Sequence, residues 1–304
     1  MKNVFIVNPT AGIKNSLADI EVKLKEKEWL DYEIYVTQSK GDATRYVAQK
    51  CSECDEDIVF YSCGGDGTLN EVASGMVGHP NAILAVYPSG SGNDYIKYYG
   101  DKQEFLNLDN LLEGKETKID LIQVGDRYAV NACHFGLDSA VAKKMSEVKP
   151  KKIIGGKNAY NTAVVYALFT ALKTKCKVIG DGEDLNGDKI LITTCVNGKY
   201  VGGSYQCAPR SLNNDGLMEV CCIKPVSIFK FLKFMKHYKK GDYLDLPALA
   251  PYLTYKRCKR VEIIGGQKNF MISLDGEVIT GDRFEVNVIK EALRFIVPKT
   301  LCKD

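Results

Sequence analysis

The sequence lacks an apolar run approaching the ~20 residues that a helix needs to span a bilayer. It also lacks the pattern of a secretory signal peptide, because residues 1–8 become polar too early and are typical of a first strand. These two absences predict a cytoplasmic protein.

The sequence also lacks the patterns of a disulfide-rich, zinc-binding or nucleic-acid-binding protein. The eleven cysteines are odd in number and scattered, so no disulfide framework is expected. Cys51 and Cys54 form a CxxC spacing, but no second Cys or His pair completes a zinc site. A net charge of +3 is mild, which argues against a nucleic-acid partner. The three histidines, His79, His134 and His237, show no paired spacing for acid–base chemistry, so carboxylates are the better catalytic candidates.

The first hundred residues alternate between strand-like and helix-like segments, which predicts a parallel sheet covered by helices. The strand-like segments are residues 4–8, 32–37, 58–61 and 83–87, and the helical ones are 16–29, 42–50 and 69–76. Ligands of such sheets bind beyond the carboxyl ends of the strands. The Gly-rich and Asn/Asp-rich turns of this sequence all follow strand ends.

After about residue 118 the pattern changes to short strands, which predicts a mostly antiparallel second domain. The expected strands are 119–124, 127–132, 189–196, 217–223, 261–264, 271–274 and 284–289, with helices near 139–148, 159–173 and 228–240. The apolar residues 293–298 form a strand that fits either domain. The expected division is residues 1–122 plus 291–304 for the first domain and 123–290 for the second.

The strongest local signal is Gly-Gly-Asp-Gly-Thr-Leu-Asn-Glu at residues 64–71, after a strand and at a helix start. Glycines let backbone amides approach phosphate oxygens, and a helix N-terminus favours anions. Asp66 repels bare phosphate, so its presence suggests a bridging Mg²⁺. Taken alone, a glycine turn with an aspartate cap explains this segment equally well.

Two further turns follow strands in the same way. Residues 88–94, Pro-Ser-Gly-Ser-Gly-Asn-Asp, precede a predicted helix, for which Ser91 or Asn93 is a candidate N-cap. Residues 8–12, Asn-Pro-Thr-Ala-Gly, lack the GKS/GKT ending of a Walker loop. Three such turns at successive strand ends together predict a nucleotide-phosphate cradle, with Asp66 and Asp94 as candidate metal-binding carboxylates.

In this order and spacing, NPTAG, GGDGTLNEV and PSGSGND resemble the diacylglycerol kinase/sphingosine kinase catalytic-domain family, in particular its small soluble bacterial members. NACHFGLD at 131–138, NDGLMEV at 214–220 and LDGE at 274–277 extend the likeness over nearly the whole chain. The resemblance implies an NAD-kinase-like α/β domain and a β-sandwich that bind ATP between them. It also implies transfer of the γ-phosphate to a lipid hydroxyl, with diacylglycerol or a close relative as acceptor.

The resemblance also implies site residues. Glu277 matches the family's general base, with Asp66 and Asp94 as the other catalytic carboxylates, although Asp-Gly-Glu is equally typical of a hairpin turn. Asp215, with the backbone carbonyls of Leu212 and Leu217, resembles a structural Mg²⁺ site, for which a plain Asn-Asp-Gly turn is the alternative. The expected ATP contacts are Asn8, Pro9, Thr10, Ala11, Gly12, Thr37, Gly65, Asp66, Gly67, Thr68, Leu69, Asn70, Glu71 and Ser91.

The chain departs from the family at three places, the first being Tyr95, where Phe or Leu is more usual. Ser91 stands where Thr is commoner, which keeps the hydroxyl. Lys97 stands where Arg is usual, which keeps the charge but loses the bidentate fork.

Several alternatives stay open. GGDGT is shared with NAD kinases, so phosphorylation of a soluble acceptor is one rival, and a non-catalytic nucleotide or lipid sensor is another. The acceptor lipid and a homodimeric state are not determined by the sequence. The basic, aromatic segment 228–240 fits an anionic membrane surface, but packing of its apolar face against the second domain is the commoner arrangement for such helices.

Overall fold

The computed structural model describes residues 1–12, 16–137 and 173–302. The chain divides into two compact units, the first comprising residues 1–121, 202–204 and 289–304 and the second 122–201 and 205–288. The expected division into residues 1–122 plus 291–304 and residues 123–290 stays a prediction, and no sequence signal indicates that 202–204 belong to the first unit. The helices expected at 139–148 and 159–173 lie outside the described residues, except for Lys173, which is in a turn.

The first unit alternates strands and helices as predicted. Its elements are β1 (Lys2–Val7), α1 (Ser16–Lys25), β2 (Tyr32–Val36), α2 (Asp42–Ser52), β3 (Ile58–Gly64), α3 (Asp66–Met76), β4 (Ala82–Pro88), α4 (Lys102–Leu106), α5 (Leu108–Leu112) and most of β5 (Lys115–Val124). Helix α1 ends four residues before the expected position. Trp29 is 71% exposed, so no buried apolar contact extends the helix that far.

The second unit is built mainly of strands. They are β6 (Arg127–Ala129), β7 (Ala132–Gly136), β8 (Thr174–Gly180), β9 (Glu183–Asp184), β10 (Lys189–Ile190), β11 (Ile192–Val196), β12 (Met218–Ile223), β13 (Leu253–Cys258), β14 (Arg260–Gly265), β15 (Phe270–Leu274), β16 (Glu277–Gly281) and the first part of β17 (Arg283–Val297). One helix, α6 (Ile228–Lys240), follows β12.

The sheet of the first unit has the order β2–β1–β3–β4, and all of these neighbours are parallel. Every residue of β3 and β4 is buried, which is typical of parallel strands covered by helices on both faces. Val7 is in register with Val36 and with Cys63, and Cys63 with Tyr87. The turns that follow these four strands therefore begin at one edge of the sheet.

The end of β17 completes this sheet by pairing in parallel with β4 at Arg294 and Phe295. The Arg294 guanidinium donates two hydrogen bonds to Asp57 and two to Glu116, all of 2.8 Å. Residues 284–289 and 293–298 were expected as separate strands, but β17 runs through both. The polar residues between them stay in the strand because the Glu291 N–H donates to the carboxylate of Asp120 at 2.7 Å.

The second unit contains two antiparallel sheets, β13–β12–β11–β7–β15–β16 and β10–β8–β14–β17. Their facing side chains form one buried core, with contributions such as Phe135 and Val220 from the first sheet and Val178 and Ile263 from the second. Helix α6 packs in a second apolar cluster with residues of β11 and β12. The expected α/β domain and β-rich second domain are confirmed.

Two absences apply to the described residues. None of the helices in those three segments is long and apolar enough to cross a membrane. All eleven cysteines are free, and most are buried, as small apolar side chains are.

Candidate active site

Three turns meet at the carboxyl edge of the parallel sheet with their backbones in close contact. A Cβ at Gly12, where φ is +78°, would lie 2.1 Å from the carbonyl oxygen of Ser89. A Cβ at Gly90 would lie 2.4 Å from the Cα of Gly65. Both distances are far below van der Waals contact, so these positions require glycine. The three turns therefore lie against one another, and their role as a nucleotide-phosphate cradle stays a prediction.

Hydrogen bonds fix the turns to one another. The Asn8 side-chain amide nitrogen donates to the Thr68 hydroxyl at 3.0 Å, while the Asn8 side-chain oxygen Oδ1 accepts the N–H and hydroxyl of Thr10 at 3.0 and 2.8 Å. The N–H groups of Ser89 and Gly90 both donate to the carbonyl of Gly64, at 2.9 and 3.0 Å. The cradle therefore has a fixed backbone shape before any ligand binds.

Helix α3 starts inside this cradle. It begins at Asp66 and has Gly65 at its N-cap, where no side chain accepts a hydrogen bond from the first turn. The first N–H groups of a helix have no intrahelical partner, and the helix dipole favours anions there. Leu69 is buried and its N–H already donates to the carbonyl of Gly65 at 3.0 Å, so the N–H groups before it are the ones left for a ligand. The start of α3 thus has the form of a phosphate-binding site.

Asp66 and Asp94 lie together in the first unit. The Asp94 N–H donates to Oδ1 of Asp66 at 2.7 Å. Both carboxylate oxygens of Asp94 accept the N–H of Gly203, at 3.0 and 2.9 Å, and its Oδ1 lies 2.6 Å from the ammonium of Lys97. Lys97 also donates to the carbonyl of Gly203 at 2.7 Å. Gly203 was missed by the sequence analysis, because it lies more than one hundred residues from Asp94.

A second lysine adds positive charge to the cradle. The Lys102 ammonium donates to the carbonyl of Gly90 at 3.1 Å. Burial lowers the pKa of Lys102, and the nearby charge of Lys97 lowers it further. Two ammonium groups beside a glycine turn favour an anionic ligand. Lys102 lies outside the recognised motifs, and no sequence signal pointed to it.

The segment after β4 differs from expectation. It leads into one turn of 3₁₀ helix, Tyr95–Tyr98, with Asp94 at its N-cap and no side-chain cap hydrogen bond, so neither Ser91 nor Asn93 caps a helix. Asn93 has a φ of +49°, and its side-chain amide donates to the carbonyl of Gly90 at 2.6 Å. The turn is closed by this internal bond, and Ser91 is left exposed at the cradle.

Thr37 lies beside the first turn, and its contact with ATP stays a prediction. Its N–H donates to the carbonyl of Val7 at 2.9 Å, immediately before Asn8. The following residue, Gln38, donates its N–H to Asp42 at 2.8 Å. This backbone hydrogen bond is the largest cause of the lowered pKa of Asp42, with the nearby Arg45 also contributing. The charged Asp42 thereby fixes the end of the Thr37 segment.

In the second unit, Asp275 and Glu277 belong to a tight hairpin. Leu274 pairs with Glu277, and Asp275 and Gly276 between them have φ values of +44° and +93°, as in a type I′ turn. The Asp275 carboxylate accepts the N–H groups of residues 130, 131 and 132 at 2.7 to 3.3 Å. Asp275 therefore anchors the turn that carries Glu277.

The Glu277 carboxylate is partly accessible. Its side chain is 33% exposed and lies 3.7 Å from the guanidinium of Arg127. A hydrogen-bond acceptor that is charged, accessible and held on a rigid hairpin is suited to receive a proton.

The Asn-Asp-Gly turn predicted as a metal site has a different partner in this structure. One oxygen of Asp215 accepts the N–H of Leu217 at 3.0 Å, and the other contacts the guanidinium of Arg257. Arg257 also lies 3.2 Å from Glu219, whose pKa is raised by burial. Among the described residues no group of three or more His, Cys, Asp or Glu side chains is arranged to hold a metal. Arg257 therefore occupies the position of a cation, and Mg²⁺ at Asp215 has to displace it.

Comparison with known proteins identifies the class. The diacylglycerol kinase catalytic domain family matches residues 2–124, and the YegS C-terminal NAD kinase beta sandwich-like domain family matches residues 131–297. The second match covers more than half of the chain, so the chain belongs to the family of the YegS C-terminal NAD kinase beta sandwich-like domain, with a diacylglycerol kinase catalytic domain match before it. It is thus a two-domain protein of the lipid kinase class.

Curated relatives agree with this assignment. A "Probable lipid kinase YegS-like" protein of Yersinia enterocolitica is 27% identical over 91% of this chain and 90% of its own length. A "Diacylglycerol kinase" of Bacillus subtilis is 27% identical over 90% of this chain and 88% of its own. A solved structure described as a putative diacylglycerol kinase from Bacillus anthracis shares the fold, with a TM-score of 0.74, 21% identity and coverage of 99% of this chain and 97% of the other.

Proposed function

We propose that the protein transfers the γ-phosphate of ATP to the hydroxyl of a lipid, with diacylglycerol or a close relative as acceptor. The observation that carries this proposal is the contact of the Gly12, Gly65 and Gly90 turns at the start of α3. No side chain fits between these turns, so backbone N–H groups reach the ligand directly. Phosphoryl transfer depends chiefly on this kind of positioning and charge neutralisation.

Several groups of the cradle contribute to ATP binding. The N–H groups from Gly65 to Thr68 at the start of α3 have no acceptor within the helix and are the ones that face the negative phosphates. Residues 69–71 follow in the helix, and the residues Asn8 to Gly12, Thr37 and Ser91 complete the contacts. Lys102 supplies positive charge beside Gly90, whereas Lys97 is paired with Asp94 and donates to the carbonyl of Gly203. A lysine acts here as a point charge and lacks the bidentate hydrogen bonding of an arginine.

Mg²⁺ fits Asp66 better than Asp94. Asp66 is a hard oxygen ligand beside the phosphate-binding helix start, as Mg²⁺ requires. The Asp94 carboxylate already accepts the Gly203 N–H and contacts Lys97, so its role is to hold the cradle together. When bound, Mg²⁺ neutralises charge on the phosphate oxygens. Mg²⁺ at Leu212, Asp215 and Leu217 stays a prediction, because Arg257 competes for the same carboxylate.

Glu277 acts as the general base. Its carboxylate takes the proton of the acceptor hydroxyl while the hydroxyl oxygen attacks the γ-phosphorus and ADP leaves. Arg127, 3.7 Å away, orients the carboxylate. Asp275 positions the turn through its three backbone N–H partners. The reaction requires that the acceptor activated by Glu277 meet the phosphate held by the first unit.

A second candidate function is phosphorylation of a soluble acceptor in the manner of an NAD kinase. It is favoured by the GGDGT motif and by the description of the family that matches residues 131–297. A non-catalytic sensor is disfavoured because Asp66, Asp94 and Glu277 are all retained. A cytoplasmic protein acting at the inner membrane face, with or without dimerisation, is consistent with the proposal.

One experiment separates these functions. The purified protein is incubated with labelled ATP, Mg²⁺ and a total lipid extract, and the products are identified by mass spectrometry, with NAD tested in parallel. We expect a labelled phospholipid such as phosphatidic acid, and none with Glu277→Gln. Label appearing in NADP alone would support the second function, and nucleotide binding without any labelled product would support a sensor.

A further inference from the structure

Helix α6 presents two different faces. Its inward face carries the buried Phe231 and Tyr238, with Phe234 and Met235 half-buried beside them. Together with Tyr243 and residues of β11 and β12, these side chains line a small apolar cavity on the outer face of the six-stranded sheet. The packing expected for an amphipathic helix is therefore fully satisfied by this face.

The outward face of α6 is unusual for a solvated helix. Phe229 is 82% exposed and Leu232 is 55% exposed. Both lie on the face that also carries Lys233, Lys236 and Lys240, because positions three, four and seven apart share one side of a helix. Solvent-facing positions of a helix are normally polar. Two large apolar side chains at its centre are not needed for packing within the unit.

The charge around these two side chains has one sign. The thirteen residues of α6 contain five lysines and no acidic residue, which exceeds the net charge of +3 for the whole chain. Within residues 1–12, 16–137 and 173–302, no carboxylate lies at ion-pair distance from the ammonium groups of Lys233, Lys236, Lys239 or Lys240. Lys230 donates to the hydroxyl of Tyr252 at 2.7 Å, and His237 contacts Asp242 at 3.0 Å.

We propose that the outward face of α6, formed by Phe229, Leu232, Lys233, Lys236 and Lys240, docks on the surface of an anionic lipid bilayer. Apolar side chains surrounded by lysines are the combination that binds an interface, because the apolar groups enter the boundary of headgroups and acyl chains. The lysines attract the negative surface of the leaflet and keep their ammonium groups at the phosphates.

This inference goes beyond the proposed reaction, since the docking surface contains none of the residues assigned to ATP or to proton transfer. It explains how an enzyme without a spanning helix among its described residues reaches an acceptor that stays in the membrane. Vesicle binding is measured without nucleotide. The docking proposal can therefore be refuted while the kinase activity is confirmed, and the kinase activity can be refuted while docking is confirmed.

Vesicle flotation without ATP tests the docking surface. The full-length protein is mixed with vesicles of phosphatidylcholine alone or with 30% phosphatidylglycerol (about one lipid in three), at low and raised salt. We expect binding to the anionic vesicles only, weakened by salt. Two variants remove the proposed contacts: the double variant Phe229→Ser/Leu232→Ser and the triple variant Lys233→Gln/Lys236→Gln/Lys240→Gln. Each should lower the fraction of vesicle-bound protein at least ~10-fold, because the apolar or the electrostatic part of the contact is lost.

A matched control removes exposed apolar side chains elsewhere. Val22 and Trp29 are 60% and 71% exposed in the first unit, and Val22→Ser/Trp29→Ser should bind as the wild type does. Melting temperatures of all variants show whether they fold. Wild-type protein that fails to float with anionic vesicles, or α6 variants that float as well as wild type, would overturn the proposal. A change of oligomeric state in the Phe229 variant, with vesicle binding intact, would instead assign this face to a second copy of the chain.

Discussion

The backbone N–H of Asp94 donates to the carboxylate of Asp66 at 2.7 Å, and this hydrogen bond joins the turn after β4 to the start of α3. The two aspartates therefore have different roles although the sequence presents them in similar motifs. Asp66 uses one oxygen for the Asp94 backbone, whereas the Asp94 carboxylate is engaged by Lys97 and Gly203. We propose that the charge of Asp66 serves the reaction, whereas the charge of Asp94 holds the site together.

Asp66→Asn tests this division. The Asn side-chain oxygen can still accept the Asp94 N–H, so the melting temperature should change little. Activity should fall by ~10²-fold or more, the size typical for loss of one group that stabilises transition-state charge. Initial rates with saturating ATP and lipid, together with thermal melts, check both parts. Asp55→Asn, at an exposed turn, serves as the control. Full activity of Asp66→Asn would contradict the metal assignment.

Gly90→Ala tests the contact between the turns. The added methyl would lie 2.4 Å from the Cα of Gly65, so the backbone has to move. We expect the free energy of unfolding to fall by ~1–3 kcal/mol, as for overpacking of a tight contact, and ATP affinity to fall with it.

Gly67→Ala is the matched control for this change. A Cβ at Gly67 meets no atom within 4 Å, and the residue lies in the first turn of α3. Alanine there should leave stability unchanged or raise it by up to ~1 kcal/mol. Urea unfolding gives both values. Equal stability of the Gly90 and Gly67 variants would show that the turns do not pack as described.

Acid stability depends on Arg294. Hydrogen bonding to Arg294 is the largest cause of the lowered pKa of Asp57, whose ordinary value is 3.8. A carboxyl with a lowered pKa in the folded protein adds stability above its ordinary pKa, and this stability is lost as the pH falls through the folded value. Arg294→Gln should therefore lower stability at pH 6 and reduce the loss of stability between pH 5 and pH 3.

Urea unfolding of wild type and Arg294→Gln at pH 6, 5 and 3 checks this prediction. Because Asp57 is 44% exposed, solvent screens part of the effect. Lys299→Gln breaks the exposed pair with Glu113 and should leave the pH profile unchanged. Identical acid profiles for wild type and Arg294→Gln would contradict the role of this arginine.

We predict that Arg257 determines how strongly Mg²⁺ stabilises the second unit. Since its guanidinium contacts Asp215, its removal should open that carboxylate to Mg²⁺. Arg257→Met should melt at a lower temperature in EDTA, because the buried Glu219 loses a partner. Addition of Mg²⁺ should raise its melting temperature more than that of wild type, and Asp215→Asn in the same variant should abolish the gain. Equal Mg²⁺-dependent shifts of the melting temperature in wild type and Arg257→Met would contradict the competition between Arg257 and Mg²⁺ for Asp215.

Local chemistry made much of this structure predictable. Glycine-rich turns after buried strands identify the cradle, because few other residues allow such close backbone approach. The hairpin at Asp275 and Gly276 follows from a well-known turn pair, and the alternation of strands and helices determines the α/β class.

Long-range contacts were not predictable in the same way. Lys102 and Gly203 join the site only through folding, and their own sequence neighbourhoods carry no motif. The anchoring of the Glu277 turn by Asp275 depends on backbone N–H groups about 145 residues away. The continuity of β17 was hidden by the polar residues near Glu291, which the carboxylate of Asp120 accommodates.

Transfer of γ-phosphate to diacylglycerol in mixed anionic vesicles, compared between wild type and Glu277→Gln, tests the central claim most directly. The account predicts Mg²⁺-dependent formation of phosphatidic acid by wild type. It predicts a fall of ~10²-fold or more in kcat for the variant, in the range typical of a lost general base, with ATP binding unchanged. Equal rates for the two proteins would contradict the role of Glu277, and absence of any phosphorylated lipid from wild type would contradict lipid kinase activity.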